Sequence, residues 1–242
     1  MELLETVGRL PEDWHGAGSF HSDVLRAFAR HGLDRELTYT AETGTGKSTL
    51  LFSHLSRDHK VFTYDDTGYT DSLRRVTESP LLNHKQVEFI VGPTQQTLPR
   101  YTFTRPLDLV LLDGPHAYPF PEMEYYHFYP HLAENAILIV DDIHIPTIFR
   151  LFEFLREDEM FDTIEVIHTT AFFRRNSASM FDPLRDGWWL QRYNTARFPL
   201  PYPPPPSTWS GELRRHIPEP LKRIVRWTRR LRHRPARDDS RP

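Results

Sequence analysis

Residues 41–49 read AETGTGKST, and two incompatible local structures can be drawn through them. Taken from its end, Gly46-Lys47-Ser48 is a loop whose amides and lysine could hold nucleotide phosphates. Taken from its start, an acidic residue leaves a strand at Glu42 and a Gly-x-Gly turn, Gly44 to Gly46, opens a helix. Glycines in such a turn let the backbone approach a ligand closely, and the helix start adds amide donors. The rest of the chain decides between the two.

Upstream, residues 18–32 carry Val24, Leu25 and Phe28 at helical spacing, with Gly32 at the end. Downstream come short apolar runs: ELTYTAE (36–42), KVFTYD (60–65), VEFIVG (87–92), DLVLLD (108–113) and AILIVD (136–141). Their nearly continuous apolar character predicts parallel strands covered on both faces. Helical stretches over 48–58, 119–133 and 145–158 separate or follow them, the last with Pro146 in its first turn. TIEVIHT (163–169) and AFFRR (171–175) are fit for an antiparallel hairpin. The expected fold is α/β: a Rossmann-like, doubly wound, mostly parallel seven-stranded sheet that ends in an antiparallel hairpin. It would occupy residues 1–180, with a helical lead-in over 1–34. Residues 181–242 would form an extension, with a proline-rich segment at 198–209 and a basic amphipathic helix at 217–234. The stripe of that helix is Leu221, Ile224, Trp227 and Leu231.

The 242 residues include no cysteine, which excludes disulfides, thiolate metal sites and cysteine nucleophiles. With 38% hydrophobic residues and a negative mean hydropathy, no run approaches the roughly 20 apolar residues of a membrane span. The first residues carry acids early and lack a signal peptide's layout, so a cytoplasmic location is expected. The net charge of −3 hides an asymmetry: residues 211–242 hold 11 Lys and Arg against 4 Asp and Glu, and the remainder 19 against 29. An acidic body argues against nucleic acid as a partner. The basic helix would suit peripheral contact with an anionic membrane, beside the plainer reading of a solvated or packed element.

In open α/β sheets ligands bind beyond the carboxyl ends of the strands. Those exits hold Glu42, Gly44 and Gly46; Asp65 and Asp66; Gly92 with Pro93-Thr94; Asp113-Gly114-Pro115-His116; and Asp141-Asp142-Ile143-His144. Glu-x-Gly-x-Gly after strand one, an acid after strand two, DLVLLDGPH and AILIVDDIH together resemble class I S-adenosylmethionine-dependent methyltransferases over about residues 20–175. The acids after strands four and five are similar to those of metal-dependent small-molecule O-methyltransferases. That resemblance implies S-adenosylmethionine as cofactor and a small hydroxylated methyl acceptor as partner. Glu42, Gly44, Gly46, Asp65, Gly92 and Asp113 would line the cofactor site, with Asp65 on the ribose hydroxyls. Asp113, Asp141 and Asp142 would hold Mg²⁺, and His116 would accept the proton. Two positions depart from the pattern: Pro93-Thr94 stands where relatives carry an acid for the adenine amine, and Glu134-Asn135 where they carry a glycine pair. The competing readings are a P-loop-like ATPase or kinase using Lys47 and Ser48, and a non-catalytic scaffold. An acidic Glu42 is an awkward neighbour for polyphosphate.

Overall fold

The computed structural model describes residues 2–11, 14, 19–65 and 68–197. Its strands are β1 (Thr40–Thr43), β2 (His59–Thr63), β3 (Val87–Val91), β4 (Leu107–Leu112), β5 (Leu132–Val140), β6 (Phe161–Ile167) and β7 (Thr170–Arg175). They form one sheet in the order β3-β2-β1-β4-β5-β7-β6. β7 pairs antiparallel with β5 and β6, and every other pairing is parallel. The expected doubly wound sheet with a terminal hairpin is therefore the one observed. The helices are α1 (Glu2–Gly8), α2 (Ser22–Leu33), α3 (Lys47–Leu55), α4 (Ser72–Thr77), α5 (Thr94–Thr97), α6 (Phe120–Phe128), α7 (Pro146–Glu157) and α8 (Arg192–Ala196).

Each central strand buries both faces. In β4, Leu109 and Leu111 pack with Phe28 of α2 and Leu50 and Phe52 of α3. Val110 and Leu112 instead join Phe128 of α6 and Leu151 and Leu155 of α7. β5 repeats the division, with Ile137 and Ile139 on the first side and Leu138 and Val140 on the second. Two covered faces are why these strands read as unbroken apolar runs. At about 1.5–3 kcal/mol for each fully buried large aliphatic or aromatic side chain, these two clusters supply the main force holding the strand exits in place.

Two of the element boundaries that differ from the expectation do so for a clear local reason. β1 begins at Thr40, not Glu36, because Asp108 occupies the preceding donors. Its Oδ2 accepts from Thr38 N at 2.7 Å, Thr38 Oγ1 at 2.7 Å and Tyr39 N at 3.0 Å. The helix expected over 119–133 stops at Phe128 and tightens into a 3₁₀ turn over Tyr129–His131, where Pro130 offers no amide. Asn135 takes the left-handed conformation at φ 67°, as its residue type allows.

One compact unit comprises residues 1–187 with 191–193; a second comprises 188–190 with 194–242. The proline-rich segment and the basic helix expected at 217–234 lie outside the described residues. Among the described residues no helix is long and apolar enough to cross a membrane.

Candidate active site

A cavity of about 580 Å³ opens beyond the exits of β1, β2, β3 and β4. Its wall includes Gly44, Tyr64, Gly92, Thr94, Gly114 and His116, and among the described residues contains no lysine or arginine.

Gly44 turns the chain out of β1 at φ +87°, with its N–H on Phe62 O at 2.9 Å. A Cβ there would lie 2.3 Å from the carbonyl oxygen of Asp113. The β1 and β4 exits touch backbone to backbone, and only glycine permits it. Gly46 has extended backbone and does not line the cavity. Its N–H donates to Thr49 Oγ1 at 3.0 Å, and the Thr49 hydroxyl donates to Glu42.

Glu42 itself is wholly buried, with Oε1 3.2 Å from Nε2 of His59 and Oε2 lacking a hydrogen-bond partner. It shapes the loop from beneath and is not in the cavity wall.

Lys47 is 2% exposed, and its Nζ donates to the carbonyl of Leu10 at 2.8 Å. The ammonium that a phosphate-binding loop needs is thus directed at the chain's own N-terminal segment.

β2 ends at Thr63, and the next residue, Tyr64, stands 63% exposed at the cavity rim. Asp65 follows on the surface and is not in the wall, while Asp66 is outside the described residues. Gly92, at φ +143°, leaves β3 with its N–H on Thr63 O at 2.8 Å.

Acids gather at the β4 and β5 exits. Nε2 of His116 lies 3.2 Å from Asp142 Oδ2 and 3.9 Å from Asp113 Oδ1. Atoms of Asp113, His116 and Asp142 that can bind a metal fall within 4.8 Å of one another, the one such group among the described residues. Of the three carboxylates grouped in the sequence, Asp113 and Asp142 come together with His116. Asp141 turns instead to Thr170, whose hydroxyl donates to its Oδ1 at 2.5 Å. Asp142 sits in the left-handed region at φ 55°, so adjacent aspartates send their side chains in different directions. His144 flanks the same carboxylate, with Nδ1 3.5 Å from Asp142 Oδ1.

Burial drives the Asp113 carboxyl up from its ordinary range; His116 opposes this, and the charges of Asp141 and Asp142 add to it. Burial likewise raises Asp141. The neighbouring Asp113 carboxylate raises the His116 imidazole against its own desolvation. Crowded carboxylates of this kind favour a cation between them.

Three contributors carry no motif in the sequence. Thr43 accepts the Asp113 N–H at 3.1 Å on its hydroxyl oxygen. Tyr69 joins Tyr64 in the cavity wall. Glu124, buried in α6, accepts from Thr43 Oγ1 at 2.8 Å. It is hidden in the aromatic run 118–129, most of which is packing: Tyr125, Phe128 and Tyr129 enter the core, and Phe120 alone of the run reaches the cavity wall.

Residues 41–143 match a family model described as a methyltransferase domain. No curated protein sequence matches the chain. Among solved structures, the O-methyltransferase TomG of Streptomyces achromogenes, in complex with S-adenosylmethionine, is 16% identical. The alignment covers 73% of this chain and 91% of that one, with a TM-score of 0.55. An O-methyltransferase of Bacillus cereus, with S-adenosylhomocysteine, is 14% identical over 73% and 91% of the two chains, TM-score 0.52. The methyltransferase PaMTH1 of Podospora anserina, bound to S-adenosylhomocysteine, is 17% identical over 73% and 87%, TM-score 0.51. Over residues 41–143 the chain is similar to a methyltransferase domain, and its fold is the one these solved methyltransferases share.

Proposed function

We propose that the cavity holds S-adenosylmethionine and that the protein transfers its methyl group to a hydroxyl of a small acceptor. The observation that carries this reading is the charge of the cavity. Among the described residues its wall has no lysine or arginine, it includes Asp113, and the nearby ammonium of Lys47 is spent on Leu10. A triphosphate would meet uncompensated repulsion there, whereas a sulfonium cofactor brings positive charge. The TomG and Bacillus cereus structures hold S-adenosylmethionine and its demethylated product on the same fold, which supports the assignment.

Methyl transfer to oxygen needs alignment of donor and acceptor, and a route for the hydroxyl proton. Two carboxylates and an imidazole fit a divalent cation, which lowers the pKa of a bound hydroxyl and fixes its direction. In this reading Asp113, Asp142 and Nε2 of His116 would hold Mg²⁺, with Asp141 beside them. His144, 59% exposed on the other side of Asp142, would take the acceptor's proton. Should no cation bind, Asp142, 3.2 Å from Nε2 of His116, would orient that imidazole for the same task.

Calorimetric titration tests the cofactor. S-adenosylhomocysteine binds and Mg-ATP gives no binding heat; the opposite pair of results would overturn the proposal. Lys47→Met provides a second check. It leaves the affinity for S-adenosylhomocysteine within about threefold, under about 0.7 kcal/mol, because the ammonium faces Leu10 and not the cavity. A phosphate-binding lysine would cost far more.

A further inference from the structure

We infer that Glu124 is a positioning residue for methyl transfer, acting through the Thr43 hydroxyl to fix the backbone that carries Asp113 and His116. The inference rests on the proposed function for its role in turnover, while the linkage itself is geometric.

Glu124 is 1% exposed. Its Oε2 accepts the Thr43 hydroxyl proton at 2.8 Å, and the same Thr43 oxygen accepts the Asp113 N–H at 3.1 Å. A hydroxyl has one proton to give. An ionised carboxylate only accepts, so it forces that proton towards itself and leaves the Thr43 lone pairs for Asp113. Next along the chain, a Cβ on Gly114 would lie 2.3 and 2.6 Å from the two carboxylate oxygens. The turn Asp113-Gly114-Pro115-His116 therefore rests directly on Glu124, and a side chain at 114 would push the carboxylate off Thr43. One acid of α6 links the β1 exit to the β4 exit.

The fold alone gives no reason for a carboxylate at this place. Glu124 Oε1 is buried without a hydrogen-bond partner, and an unsatisfied buried polar atom lowers stability. Burial raises the group to about 7, while the Thr43 hydrogen bond steadies its ionised form. A neutral isostere would serve packing better. A residue that lowers stability beneath a functional turn is more economically explained by the turn's task.

Glu124→Gln keeps the shape but introduces an amide that can donate to Thr43 and release its proton elsewhere. Turnover at saturating cofactor and acceptor falls about tenfold or more, the scale on which supporting contacts act. The dissociation constant for S-adenosylhomocysteine stays within about threefold, and the thermal midpoint is unchanged or higher. Thr43→Val gives the same fall, and the double variant loses no more than the worse single one, since both break one linkage. Amide exchange at Asp113, followed by NMR, accelerates in each variant. Turnover within twofold of the parent, an additive cycle, or a joint loss of turnover, affinity and midpoint would each overturn the inference. Should the parent protein transfer no methyl group, the functional reading fails by itself. The Asp113 amide still reports the linkage: unchanged exchange in Glu124→Gln would refute it and faster exchange would uphold it.

Discussion

Gly44→Val removes measurable binding of S-adenosylhomocysteine, a loss of at least about 100-fold in affinity, or about 2.7 kcal/mol. Two penalties combine at this position. The backbone is held at φ +87°, a conformation that costs a β-branched residue on the order of 1–3 kcal/mol. The new Cβ would also sit 2.3 Å from a backbone oxygen of Asp113, so the β1 exit must lift away from β4. Because Gly44 lines the cavity and Asp113 borders it, the displacement enlarges and reshapes the floor on which a cofactor would lie. Thermal denaturation shows a lower midpoint for the same variant. Gly46→Ala is the informative control. The backbone there is extended, any residue can adopt it, and the position is outside the cavity wall. A smaller loss is expected. Equal losses at the two glycines, or binding by Gly44→Val within tenfold of the parent, would refute the loop's proposed role.

Asp113→Asn separates stability from activity in opposite directions. Without divalent ions the variant is more stable than the parent, because the exchange removes a carboxylate that burial and its neighbours disfavour. For a domain of this size about 1 kcal/mol appears as roughly 2–4 °C in the midpoint. Methyl transfer falls at least about 100-fold, as one of the cation's proposed ligands loses its charge. Adding Mg²⁺ raises the midpoint of the parent and leaves that of the variant where it was. Turnover that persists in EDTA, together with no effect of Mg²⁺ on the parent's midpoint, would dismiss the cation and leave the Asp142–His116 pair to manage the proton.

Much of the fold could be read from the sequence because parallel strands buried on both faces leave apolar runs that end where the chemistry starts. The runs ending at Glu42, Asp113 and Asp141 are of this kind, and the glycine at 44 marks the backbone contact between the β1 and β4 exits. What could not be read depends on tertiary direction. Nothing in GKST tells that Lys47 finds a carbonyl 37 positions earlier. Nothing in the pair at 141 and 142 tells that one carboxylate turns to Thr170 and the other to His116. Glu124 was masked by its surroundings, since an acid inside FPEMEYYHF reads as the solvent face of an aromatic helix. The late start of β1 has the same origin: the donors of Thr38 and Tyr39 are claimed by a side chain 70 and 69 positions away.

The two aspartates near the start and just past the end of β4 make a natural internal comparison. Asp108, at the strand's entry, is satisfied by three donors, while Asp113, at its exit, faces His116 and other carboxylates. They stand five residues apart, one inside β4 and one just past its end, carry the same side chain and would score alike in any composition-based measure. A survey of variants read out by cellular abundance would flag position 108 and pass over 113. The same survey read out by product would flag both. The difference between the two maps, taken along a single strand, would draw the border between scaffold and workplace in this protein.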